Sequence, residues 1–235
     1  MENDGYHELA PCAALRAHVE CFWAARGASP GFDVRPDGCV DFLFDRGTDG
    51  DGARLVGAMT ASLSVSPLRA RDVVAVRFRP GGALPFVRAP LHEFTDGAVD
   101  LAALGAPMLD LADVGLDDAP PAARIAAIER WLLRRLPSRP DPMLAALRAA
   151  ADPSFRVGAA AAALGASRQR FARSVREATG LPPKLLARIL RVRRALADDR
   201  PANGAVLAQR HGFADQAHMV REVRALTGRP PTHWR

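Results

Sequence analysis

The sequence predicts an α+β protein, with a β-rich N-terminal part followed by an all-α part built from two helix-turn-helix units. Three observations predict it. Asp72–Arg79 (DVVAVRFR) places Val74, Val76 and Phe78 on one face and Arg77 and Arg79 on the other, the two-residue period of a half-buried strand. Near the C-terminus one pattern of helix cap, apolar positions and stop signal occurs twice, 48 residues apart, and an internal duplication takes precedence over other fold signals. Charge is unevenly placed as well. Residues 1–140 hold 15 Arg and 19 Asp plus Glu, net −4, whereas residues 141–235 hold 17 Lys plus Arg and 7 acidic residues, net +10.

The clearer copy of the repeat is Gly212–Arg235 (GFADQAHMVREVRALTGRPPTHWR). Gly212 suits the positive φ of a sharp turn. Asp215 sits at the N-cap, where its carboxylate accepts free N–H groups of the first helical turn. Met219, Val223 and Leu226 then recur at i, i+4 and i+7 as one buried stripe. Gly228 follows as the residue after the helix, and Pro230-Pro231 prevent continuation. In the earlier copy Ser167 matches Asp215, Phe171 matches Met219, Arg173 matches Arg221 and Val175 matches Val223. The stop signals match too, Thr179–Pro183 (TGLPP) against Thr227–Pro231 (TGRPP).

This pairing, with Gly-Phe before the second helix and Thr-Gly-x-Pro-Pro after it, resembles the DNA-binding domain of the AraC/XylS family of bacterial transcription regulators. The resemblance covers about Phe155 to Arg235 and includes the connecting helix Lys184–Leu196 (KLLARILRVRRAL). Met219 and Val223 depart from the aromatic residues usual in the second helix but remain apolar. PDGCVDFLF near Pro36 and VRFRPGGA near Val76 resemble a small β-rich domain found ahead of such DNA-binding domains. That second resemblance implies a cupin-like or related sensory role.

At 235 residues, nearly half of them hydrophobic, the chain can hold one large domain or two ordinary ones, with a proper core. A basic half joined to an acidic half points to a polyanion-binding module attached to something else. The three cysteines, Cys12, Cys21 and Cys39, are odd in number and show no paired spacing, as expected of a reducing cytoplasm. MENDGYHEL at the N-terminus lacks the apolar run of a signal peptide, and no apolar stretch reaches membrane-spanning length.

The remaining elements follow from local pattern. Ala13–Trp23 reads as a short helix leading into a strand, and Val40–Phe44 (VDFLF) as a strand after the turn Arg35–Gly38. Arg54–Ala58 and Ser62–Ser66 are further strand candidates, and Gly47–Gly52 is an exposed loop. Pro80-Gly81-Gly82 marks a tight turn. Pro120-Pro121 opens a helix that runs to Leu136, Pro being tolerated in the first turn. Its stripe of Ile125, Ile128, Leu132 and Leu136, with Trp131 beside it, suits packing on its own domain or a seam between two copies. The proline-rich stretch 137–142 (PSRPDP) is read as the linker between an N-terminal domain, residues 1–136, and a DNA-binding domain, residues 143–235. Within the latter, Met143–Ala151 leads in. Val157–Leu164 and Ala205–His211 are support helices, Arg168–Thr179 and Gln216–Thr227 recognition helices, and Asp198–Gly204 the loop between units.

A helix in the major groove needs side chains that reach base edges from one face. Arginine can donate two bonds to guanine, and glutamine can bond adenine both ways. Gln169, Arg173, Gln216 and Arg221 are therefore the expected base readers, with Ala172, Ala217 and Val220 available to thymine methyl groups. Arg168, Arg170 and His218 near the helix starts, and Arg176 and Arg224 further along, are expected at phosphate or flanking positions. Arg188 and Arg191 on the connecting helix, with Arg193 and Arg194, are candidates for added phosphate contacts. Leu185, Ile189, Val192 and Leu196 form the stripe the two units share as core.

The leading expectation is a sequence-specific regulator, activator or repressor, that binds double-stranded DNA. A small-molecule effector on the N-terminal domain, RNA polymerase and a second copy of the chain are its candidate partners. One alternative is a DNA-binding tail on an enzyme of the alkyl-transfer repair kind, but three cysteines are too few for a four-thiolate zinc site and wrongly spaced. His7, His18 and His92 with Cys21 and Cys39 likewise lack ligand spacing, so no metal, cofactor or catalytic constellation is expected. A non-specific architectural binder is disfavoured by the acidic N-terminal half and the capped helices.

Overall fold

Alternating apolar residues in neighbouring strands must line up if one face of a sheet is to be buried. They do so here in a six-stranded antiparallel sheet of order β1-β2-β7-β4-β5-β8. The strands are β1 (Tyr6–Leu9), β2 (Val19–Ser29), β4 (Val40–Asp45), β5 (Gly52–Val56), β7 (Leu68–Phe78) and β8 (Ala98–Asp100). Between them β3 (Phe32–Val34) and β6 (Leu63–Val65) pair as a separate two-stranded ribbon. The structure is a computed structural model that describes residues 5–47, 52–66, 68–105, 108, 111, 114, 117–139, 141–149 and 155–234.

One cross-strand row runs Leu9, Phe22, Val76, Phe42, Leu55, Val99 over all six strands. Phe22, Val76, Phe42 and Leu55 in this row are almost wholly buried, and each such side chain is worth about 1.5–3 kcal/mol of burial. The opposite face of the sheet is polar where Trp23 and Arg77 converge on Asp41. The expected strands at Val40–Phe44 and Asp72–Arg79 correspond to β4 and β7, and Ala13–Leu15 forms the short helical turn before β2. Most of the loop expected at Gly47–Gly52, from Thr48 to Asp51, lies outside the described residues, and Gly52 opens β5.

Helix α1 (Pro121–Arg134) buries Ile125, Ile128, Trp131 and Leu132, and Trp131 meets Phe86 at 6.3 Å between ring centroids. Its apolar stripe thus packs on its own chain. Arg124 is drawn in as well: it pairs with Asp72 at 2.9 Å and donates to the Phe44 carbonyl. The Pro80–Gly82 turn has steric reasons for both glycines. Gly81 has φ of 78° and lies against Leu147, whereas a Cβ on Gly82 would strike the His18 carbonyl.

Among the described residues six α-helices follow: α2 (Pro142–Ala149), α3 (Val157–Ala163), α4 (Arg168–Thr179), α5 (Pro183–Leu196), α6 (Gly204–Arg210) and α7 (Gln216–Thr227). The buried face of α5 is broader than the stripe read from sequence. Leu185 is half-buried, while Leu186, Leu190 and Ala195 are buried beside Ile189, Val192 and Leu196. The reason lies outside the helical part: Gly38, with φ of 77°, brings the turn before β4 against Leu186 and Leu190.

Sheet and helices meet at three further places. Arg193 of α5 donates to Glu20 Oε2 at 3.1 Å and pairs with Glu20 Oε1, beside the buried Cys39. Burial works against the Glu20 charge, but the bonds and charge of Arg193 outweigh it and hold the carboxyl below its ordinary range. Thr95 Oγ1 donates to the Gly180 carbonyl at 2.8 Å, just past the end of α4. Asp33 of the ribbon lies 3.4 Å from His233 and 4.0 Å from Arg229, just past the end of α7. One buried apolar cluster runs from Leu15 to Leu226 across both parts.

Two outcomes test this packing. Gly82→Ala should lower stability by more than ~1 kcal/mol, because its Cβ meets backbone rather than a movable side chain; an unchanged melting temperature would contradict the contact. His18 is buried with Nδ1 3.1 Å from the Gly82 carbonyl, and burial lowers its pKa, the carbonyl bond opposing less strongly. A histidine kept neutral by the fold contributes fully above its unfolded value of about 6.5, and loses that contribution as pH falls toward the folded value. The NMR titration midpoint of His18 should therefore lie below that of an exposed histidine; one at or above it would exclude the buried neutral form.

Candidate DNA-binding site

Each helix-turn-helix unit is built by a cap, a glycine turn and a threonine stop. In the first, Gly165 (φ 62°) turns the chain after α3, and Ser167 Oγ accepts the Arg170 N–H at 3.2 Å to start α4. In the second, Asn203 caps α6, Gly212 (φ 72°) makes the turn, and Asp215 accepts the His218 N–H at 2.6 Å to start α7. The two turns differ in length. Ser167 stands two residues after Gly165, whereas Asp215 stands three after Gly212. The N–H of the additional residue, Ala214, donates to His218 Nδ1 at 3.2 Å, and the His218 ring meets Phe213 edge-on. His218, expected at phosphate, thus closes the longer turn through Nδ1.

The repeated Thr-Gly has a shared mechanism. Thr179 Oγ1 donates to the Val175 carbonyl and accepts the Leu181 N–H; Thr227 Oγ1 donates to the Val223 carbonyl and accepts the Arg229 N–H. In both cases the next residue, Gly180 or Gly228, takes the left-handed conformation that ends the helix. Both hydroxyls are buried, so the stop signal needs no solvent.

Gln169, Arg173, Gln216 and Arg221 are all exposed on the outer faces of α4 and α7, as are Arg168, Arg170, Arg176 and Arg224. Their local settings differ. Arg173 pairs with Glu177 one turn on, at 2.9 Å. The residue matching Glu177 in the second unit is Ala225, and Arg221 makes no ion pair among the described residues. The first residue of each recognition helix folds back over a glycine in its support helix, Arg168 over Gly158 and Gln216 over Gly204. Those glycines leave room that a Cβ would take, a feature the sequence pattern did not disclose.

Three of the connecting-helix arginines, expected as candidates for phosphate contacts, have partners within the protein. Arg188 pairs with Glu222 of α7 at 2.8 Å, Arg191 lies 5.7 Å over the Phe213 ring, and Arg193 pairs with Glu20. Their placement fixes α5 against its neighbours; Arg194 is half-buried on the same helix. Sequence reasoning also missed Asp198, just past α5. Its carboxylate, nearly closed off from solvent, accepts from Arg200, Arg210 and His211, with Oδ2 bonds of 2.8–2.9 Å. The Arg200, Arg210 and His211 bonds, in that order, hold it well below the usual carboxylate range. This ties the end of α5 to the end of α6 and so orients the second unit.

A cleft of about 530 Å³ separates His92, in the helical turn Leu91–Phe94, from Ala172, Arg173, Arg176 and Glu177 of α4. The N-terminal part therefore flanks the outer face of the first recognition helix. Cys12 is exposed and Cys21 and Cys39 buried, all as free thiols. Among the described residues no group of three or more His, Cys, Asp or Glu is placed to share a metal ion, and no helix is long and apolar enough to cross a membrane.

Residues 160–235 match the family described as a helix-turn-helix domain. The C-terminal part is an AraC-type helix-turn-helix domain. The chain is accordingly a DNA-binding transcription regulator. Residues 7–100 match a family described as a domain of unknown function. Comparison with curated proteins found no match. Among solved structures, ToxT from Vibrio cholerae is similar with a TM-score of 0.48 at 9% identity, over 91% of this chain and 97% of that one. ToxT from Vibrio cholerae O395 bound to (E)-4-(8-methylnaphthalen-1-yl)but-3-enoic acid gives 0.44 at 9% identity, over 98% and 96%. The AraC-like transcriptional activator CuxR gives 0.23 at 14% identity, over 88% and 91%. Overlaps this loose transfer neither ligand nor mechanism.

The AraC-type domain's two arginines predict an asymmetry. Glu177→Ala, which copies the second unit, should free Arg173 and tighten DNA binding by roughly 2- to 5-fold, the ~0.5–1 kcal/mol of an exposed ion pair. Titration by fluorescence anisotropy at fixed salt checks this; weaker binding would show that Glu177 orients Arg173 for contact.

Proposed function

We propose that one chain reads two short boxes in successive major-groove segments, about 10 bp apart on one face of the duplex, and that the N-terminal part modulates this reading in response to a small-molecule effector. The observation that carries the first half is the duplication itself: two capped, glycine-stopped helices with exposed Gln and Arg side chains, joined by one buried helix. Gln169 and Arg173 read the first box, Gln216 and Arg221 the second. Arg168, Arg170, Arg176 and Arg224 meet phosphates, where they supply affinity without sequence preference. The segment 137–142 divides the sensory domain from the DNA-binding one. The modulation is supported by the contacts of the N-terminal part with the ends of both recognition helices.

Selection of DNA from a random pool, at about physiological ionic strength where non-specific binding is weak, tests the reading. The full-length protein should recover a two-box motif. Arg173→Ala and Arg221→Ala should each relax one box at a cost of about 1–3 kcal/mol. Recovery of no motif would defeat it.

A further inference from the structure

The N-terminal part does not merely adjoin the helical domain; it holds three separate pieces of it. Thr95 bonds the carbonyl of Gly180, the residue that stops α4. Asp33 faces Arg229, directly after Gly228, the residue that stops α7, and His233 in the turn that follows. Glu20 pairs with Arg193 on the helix between them, and Gly38 lies against Leu186 and Leu190 of that helix. The first recognition helix is thus held at the glycine that stops it, the second through residues one and five positions past its own stop glycine, and the third grip is on α5.

We propose that Glu20, Asp33 and Thr95 are positioning residues that set the distance and phase between the two recognition helices, so that the N-terminal part determines which box spacing the protein accepts. This rests on the two-box reading above. The α5 packing alone joins each unit to a common helix. A reference outside the helical domain, fixed beyond the stop of each recognition helix as well as to α5, removes remaining freedom to pivot. The groups suit the task because none lies on a reading face: Thr95 is half-buried, and Glu20 and Asp33 are mostly shielded. Tight phase matters for DNA, where one added base pair moves the second box by about 3.4 Å and rotates it by about 35°.

The experiment is a spacing profile. Full-length protein is titrated against duplexes carrying the two selected boxes at the preferred spacing and with one base pair added or removed. The same is done for Thr95→Val, Asp33→Asn and Glu20→Gln, with melting temperatures measured alongside. Asp33→Asn alters an outlying contact and serves where a variant at a more buried site fails to fold. Wild-type protein should lose about tenfold or more for a one-base-pair change, in the range of a disrupted specific contact. The variants should retain binding at the preferred spacing within about threefold while the spacing penalty shrinks to about threefold or less. A role in stability alone would weaken all spacings in proportion, and that result, or an unchanged profile, would overturn the proposal. Wild-type binding that needs both boxes but is indifferent to spacing would overturn it while leaving the two-box reading intact. Binding that needs only one box would remove both.

Discussion

The helical domain depends on how many surfaces α5 must bury at once. Ile189, Val192 and Leu196 are buried in the one apolar cluster that includes residues of both units, and Leu186 and Leu190 face the turn before β4. A helix covered on several sides cannot slide or roll without exposing apolar area, and close-packed interiors resist small displacements. The ion pairs at its edge, Arg188 with Glu222 and Arg193 with Glu20, then choose among the few packings that remain. In partly buried settings such pairs supply orientation more dependably than net stability. Asp198 completes the arrangement by tying the helix end to Arg210 and His211.

Within that frame the two units share a plan but not its details. The caps and the threonine stops coincide, since these satisfy backbone groups that every helix end leaves open, and the apolar knobs coincide because each is buried in the core. Divergence falls on the reading faces, where Gln169 stands against Ala217 and Ala172 against Val220, and on what surrounds them. One arginine is tethered to Glu177 and its counterpart is not; one turn carries an additional residue and a histidine to accommodate it. The first unit also has the N-terminal part beside its outer face, across the cleft at His92.

Much of this was legible in the sequence because it is local. Caps, stripes and stop signals are set by residues within a few positions of each other, so α4 and α7 match their expected bounds, Arg168–Thr179 and Gln216–Thr227. β4 and β7 were legible through strict alternation. The short strands β1, β3 and β8 carry too few residues to show a period. What sequence could not supply were partners brought together by folding: Arg193 with Glu20, Arg188 with Glu222, and the Asp198 cluster. An arginine on a helix surface looks alike whether it awaits a phosphate or is held by a carboxylate 173 residues away. The glycines under Arg168 and Gln216 were hidden for the same reason, as Gly158 looks like an ordinary weak point in a helix and Gly204 like the end of a loop.

The unequal turns before α4 and α7 bear on how the protein can lie on a chromosome. Two-fold symmetric dimers bind palindromes, and a palindrome looks the same from either direction. On the two-box reading proposed above, one chain carries two unlike readers, so the bound duplex acquires a polarity. Inverting the target would present each helix with the other's box. A single bound molecule read this way therefore points along the DNA, its first unit toward one flank of the site and its second toward the other.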